Sequence, residues 1–91
     1  METIKEYLDK LEINNNILAK QLKEVYINKV TYFKEDKIFY FYLTSKCIVS
    51  YELLEMFREE LKEKLTYFKD IKIKIRYTGL DRKKNKDIIK L

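Results

Sequence analysis

The stretch VYINKVTYFKEDKIFYFYL, residues 25–43, decides the fold. Two runs rich in β-branched and aromatic residues flank the polar tip Lys34-Glu35-Asp36-Lys37, and two such runs around a short charged turn read as a β-hairpin. Strand side chains alternate between faces with period two. Phe39, Phe41 and Leu43 therefore share one face of the second strand, and Ile38, Tyr40 and Tyr42 share the other. The apolar face has to be covered, and the flanking segments must supply the cover.

Upstream, Ile4, Leu8, Leu11, Leu18, Leu22 and Val25 are spaced as one helical stripe. The run Asn14-Asn15-Asn16 interrupts it, because asparagine bonds to nearby backbone and favours caps and turns. Two short helices are predicted, over residues 2–12 and 16–23, the second capped by Asn15 or Asn14. The alternative is one coiled-coil helix with Asn15 as a buried register-setting residue, for which three heptads are few.

Downstream, residues 44–49 read as a connector and Ser50 as a helix N-cap. The helix is predicted over residues 51–67, with Glu52 and Glu55 early, where the helix dipole favours acids. Leu54, Phe57, Leu61 and Leu65 form its buried stripe, and Glu55, Arg58, Glu59, Lys62 and Glu63 a solvated face. Residues 71–77, IKIKIRY, alternate most sharply, with three isoleucines inward and Lys72, Lys74 and Arg76 outward. The single glycine, Gly79, ends the folded part, so the domain spans 1–78 and residues 79–91 form a basic tail or the start of a linker.

The expected fold is a small single α+β domain of order α(α)-β-β-α-β. Its three-stranded sheet is antiparallel or mixed, with the helices on one face. If the last strand lies beside the first strand of the hairpin, the sheet is wholly antiparallel. The uncovered face then presents Tyr40 and Tyr42 beside Lys72, Lys74 and Arg76, the candidate face for a partner or a nucleic acid. These are also ordinary residues for an exposed strand.

Ninety-one residues allow one domain with one modest core. No run approaches the roughly 18–20 apolar residues of a membrane helix, and METIKEYLDK lacks the apolar core of a signal peptide. A cytoplasmic location without a membrane partner is expected. A single cysteine, Cys47, excludes an internal disulfide and reads as a small buried or half-buried apolar residue. Residues 1–70 carry 12 Lys/Arg against 13 Asp/Glu, whereas residues 71–91 carry 8 against 2. All the excess positive charge thus lies in the last strand and tail, where it marks either an anionic partner or a solvated edge followed by a linker. The chain has no histidine, no Gly-rich phosphate loop and no paired cysteines, so common metal and nucleotide signatures fail. Neither cofactor nor catalysis is expected, and Glu35-Asp36 reads as a solvated turn.

A family resemblance rests on the succession Val30, a polar turn, Phe39-x-Phe41-x-Leu43, a polar connector, Leu54-x-x-Phe57-x-x-x-Leu61-x-x-x-Leu65, then Asp70-Ile71-x-Ile73-x-Ile75. Over residues 17–77 this resembles the N-terminal domain of the PolC-type DNA polymerase III alpha subunit of low-GC Gram-positive bacteria. The resemblance implies a type II KH-like fold and a non-catalytic module in DNA replication. In the family that module precedes a second N-terminal domain, an OB domain, an exonuclease-bearing PHP region and the polymerase core. The implied partners are the clamp-loader tau subunit, through protein–protein docking, and the rest of the polymerase chain. The basic strand and the paired tyrosines are not family marks, so the site residues rest on the residue pattern alone. A single-stranded nucleic-acid-binding KH/RRM-like sheet is the alternative, since aromatic rings stack bases while Lys/Arg meet phosphates. Weak DNA binding is expected beside a protein partner.

Overall fold

The computed structural model describes residues 2–78, in the order β1 (Glu2–Thr3), α1 (Ile4–Lys10), α2 (Asn16–Gln21), β2 (Val25–Phe33), β3 (Ile38–Ser45), α3 (Tyr51–Lys64) and β4 (Asp70–Tyr77). The tail inferred over 79–91 lies outside the described residues. The N-terminal stripe does form two helices, and their ends follow from local chemistry. Thr3 starts α1 in a capping box: its hydroxyl accepts from the Glu6 N–H at 3.1 Å, and the Glu6 carboxylate accepts from the Thr3 N–H at 3.2 Å. The bond from the Thr3 hydroxyl, then that from the Thr3 backbone, holds the Glu6 carboxyl below its ordinary value.

The first helix stops two residues before the predicted end because Glu12 adopts φ 57°. Ile13 N–H donates to Leu8 O at 2.8 Å and Glu12 N–H to Asp9 O at 3.1 Å. That is a Schellman closure, with Leu8 and Ile13 both buried as its apolar contact. Asn15 caps α2 by accepting from Leu18 N–H at 3.1 Å, and Ser50 caps α3 by accepting from Leu53 N–H at 3.3 Å.

The hairpin pairs β2 with β3 antiparallel, from Val25↔Ser45 to Phe33↔Ile38. The last strand does not lie beside the hairpin's first strand. It runs parallel to β3, from Ile38↔Asp70 to Ser45↔Tyr77, in the sheet order β1-β2-β3-β4. The outer edge of β2 is already taken, because Glu2 and Thr3 pair with Ile27 and Tyr26. The sheet is therefore mixed and four-stranded, the fourth strand being only two residues long, too short for an alternation pattern to reveal.

All three helices cover one face. Ile4, Leu8, Leu18, Leu22, Val25, Ile27, Phe41, Leu43, Phe57, Leu61 and Ile71 are buried in one cluster. Phe57 meets Phe41 edge-on at 6.2 Å, and Tyr7 meets Phe41 at 5.4 Å. Burial, then the Glu2 charge, raises the Tyr7 phenol above its ordinary value. Tyr32, Phe39 and Phe68 extend the cluster toward the hairpin tip.

Two residue assignments change. Cys47 is exposed rather than buried, because the chain turns there: Ser45 Oγ, itself buried, accepts from Cys47 N–H at 3.1 Å and donates to Cys47 O at 2.6 Å. Arg58 does not belong to a merely solvated face. Its Nε donates to Ile71 O at 2.6 Å and its Nη2 to Asp70 Oδ1 at 2.7 Å. It lies beside Phe57 on the helix and reaches the neighbouring strand, a use that helical periodicity does not disclose.

Candidate functional site

The face of the sheet without helices is built by the alternation of β3 and β4. Parallel pairing places residues of equal parity side by side, so Tyr40 lies against Lys72, Tyr42 against Lys74 and Thr44 against Arg76. The five residues singled out from sequence, Tyr40, Tyr42, Lys72, Lys74 and Arg76, therefore share one surface. The two tyrosines are half-buried among their neighbours, while the three cations are exposed.

β2 adds members that the sequence pattern hid. Between Ile27 and Lys29 the register slips by one residue, and such a β-bulge leaves one residue unpaired and shifts the parity of the rest. Val25, Ile27 and Val30 consequently pair with the core-face positions Ser45, Leu43 and Phe41, whereas Lys29, Thr31 and Phe33 come up opposite Tyr42, Tyr40 and Ile38. The available signal was the odd step from Ile27 to Val30 among residues that otherwise recur every second position.

The aromatic rings form a short row. Phe33 meets Tyr40 edge-on at 5.2 Å, and Tyr40 and Tyr42 lie 6.3 Å apart with their planes 20° from parallel. Lys29 Nζ sits 4.9 Å from the Tyr42 ring centre and Lys74 Nζ 5.9 Å from that of Tyr40, distances at which the ring quadrupole attracts a cation. Among the described residues, no carboxylate forms an ion pair with Lys29, Lys72, Lys74 or Arg76. Thr31 Oγ1, in the row opposite Tyr40, is buried without a hydrogen-bond partner. Phe33 is 51% exposed at the tip end of the row. A depression of about 270 Å³ between Lys29, Tyr42, Lys74 and Arg76 marks the other end.

The surface can bind anionic groups through uncompensated cations and can bury apolar or planar groups along its ring edges. Among the described residues, no group of three or more His, Cys, Asp or Glu is placed to hold a metal ion. Glu35 and Asp36 line a wide depression at the hairpin tip with Lys37, Tyr67 and Lys69. Lys37 Nζ lies 5.7 Å from the Tyr67 ring centre there. No described helix is long and apolar enough to cross a membrane.

No curated protein and no solved structure matches the chain. The family model described as DNA polymerase III polC-type N-terminus I matches residues 3–75, which takes in both N-terminal helices, the hairpin, α3 and most of β4. The chain belongs to the family of N-terminal domains of polC-type DNA polymerase III, the replicative DNA polymerase.

Proposed function

We propose that this domain is a non-catalytic docking module of a PolC-type replicative polymerase in the cytoplasm, and that its open sheet face binds the clamp-loader tau subunit. The observation that carries the reading is the open face itself. A row of aromatic rings lies between cations that no described carboxylate neutralises, a composition suited to an anionic, partly apolar protein surface. The helix-covered mixed sheet with one bare face supports a type II KH-like description of the fold.

The test is a pull-down of the tau subunit by the wild-type domain and by Lys72→Glu/Lys74→Glu. Both lysines are exposed, so the variant keeps its fold, which a thermal melt monitors. Loss of capture with an unchanged melt supports the reading, and equal capture removes this face from it.

Single-stranded nucleic acid is favoured by one observation. Lys72, Lys74 and Arg76 alternate along β4, which sets them about 6.5–7 Å apart, near phosphate spacing on an extended strand. The rings argue the other way: one face of each tyrosine already carries a lysine, leaving less open ring than a base-stacking platform offers. DNA binding is expected to be weak, with a log–log salt slope of about −2 for three phosphates.

A further inference from the structure

β4 is the last strand of the sheet, and its outer edge is open among the described residues. Thr78 N–H donates to Ser45 O on β3 at 2.8 Å, so the even-numbered residues of β4 turn their backbone toward β3. The odd-numbered residues turn theirs outward. The first outward pair is sealed: Ile71 O accepts from Arg58 Nε at 2.6 Å, and Ile71 N–H donates to Asp70 Oδ1 at 2.8 Å. No described residue bonds to the outward groups of Ile73 and Ile75. Beside them a groove of about 390 Å³ runs between β4 and α3, lined by Tyr51, Leu54, Glu55, Arg58 and Ile73. Tyr51 on its rim is 71% exposed.

We infer that this edge takes up an extended segment of a partner protein as an added strand, one in which acidic and apolar residues alternate. An added strand lies ~4.8 Å from β4 and alternates its side chains between the same two faces. On the open face they meet Lys72, Lys74 and Arg76, and on the helix face Ile73, Ile75 and Leu54. Acids answer the first set and aliphatic residues the second, with cross-strand Cβ atoms about 5 Å apart. The same charges exclude other occupants. A second copy pairing edge to edge sets cation against cation. Arg58 and Asp70 fix the register by closing the edge at Ile71.

The inference rests on the protein-docking reading and names the chemistry of the segment involved. The probe is an end-blocked eight-residue peptide of alternating Glu and Val, added to the full chain. Amide hydrogen exchange at Ile73 and Ile75 is expected to slow at least tenfold, with little change at Ile71. Backbone N-methylation of the peptide separates strand addition from surface adhesion. Methylating one alternate set of amides is expected to weaken binding more than tenfold, and methylating the other set less than threefold. A peptide with Lys in place of Glu is expected not to bind. Equal binding of both methylated peptides, binding of the Lys peptide, or absent protection at Ile73 and Ile75 overturns the inference. If the tau subunit binds while these two amides stay unprotected, the edge inference fails and the docking reading stands.

Discussion

Arg58→Ala removes a side chain that ties α3 to the beginning of β4. The guanidinium donates to Ile71 O at 2.6 Å and to the Asp70 carboxylate at 2.7 Å, with looser contacts to Glu55 at 3.6 Å and Glu59 at 3.8 Å. Hydrogen bonds to charged groups contribute ~1.5–3 kcal/mol each when enclosed. The Arg58 and Asp70 side chains are 25% and 34% exposed, which lowers the ion-pair share toward the ~0.2–1 kcal/mol of surface pairs. Truncation also leaves the Ile71 carbonyl, on the outer edge of β4, without its side-chain donor. The net cost is expected to be about 1.5–2 kcal/mol, against about 0.5 or less for Glu59→Ala. Urea melts of the two variants and wild type at neutral pH measure both.

The pH dependence provides a second reading of the same contact. Desolvation raises the Asp70 pKa, but the bond from Ile71 N–H, the bond and charge of Arg58 and the charge of Lys62 outweigh it, holding the carboxyl below its ordinary 3.8. A depressed pKa stabilises the folded state above the unfolded value and is lost as pH falls through the folded one. The gap between wild type and Arg58→Ala should therefore be constant above about pH 5 and shrink below pH 3.8. Equal melts for Arg58→Ala and Glu59→Ala, or a gap that ignores acid, refute the reasoning.

Three further outcomes follow from the packing. Phe57→Ala empties a fully buried site against Phe41 and should cost ~3–5 kcal/mol in urea melts; a loss under 1 kcal/mol would mean the helix face is misassigned. Thr31→Val replaces a buried hydroxyl that has no partner and should stabilise by about 1 kcal/mol, whereas destabilisation in the same melts would reveal a bond to that hydroxyl. Glu12→Gly relieves a left-handed residue at the end of α1 and should raise stability by about 0.5–1 kcal/mol, provided thermal melts show no loss of cooperativity.

The parts of the fold that depend on near neighbours were legible in the chain. The hairpin shows in the alternation of 38–43, the helix break in three asparagines, and the caps in Asn15 and Ser50. The rest depends on contacts between distant segments. Whether β4 joins β2 or β3 turns on which edge is free, and two residues at the N-terminus occupy the edge of β2. Arg58 gains its role only because β4 passes within reach of α3. Five members of the open face followed from parity alone, but Lys29 and Phe33 lay beyond a bulge, where parity reverses.

The most direct measurement of the central claim is amide chemical-shift mapping of the isotopically labelled chain during titration with the tau subunit, and separately with oligothymidylate. Shifts under tau are expected to concentrate at Tyr40, Tyr42, Lys72, Lys74 and Arg76, with only small, salt-sensitive changes under oligothymidylate that Tyr40→Ala leaves unaltered. Shifts confined to α1 and α2, or a tight DNA complex at physiological salt that Tyr40→Ala weakens by ~1–3 kcal/mol, would contradict it.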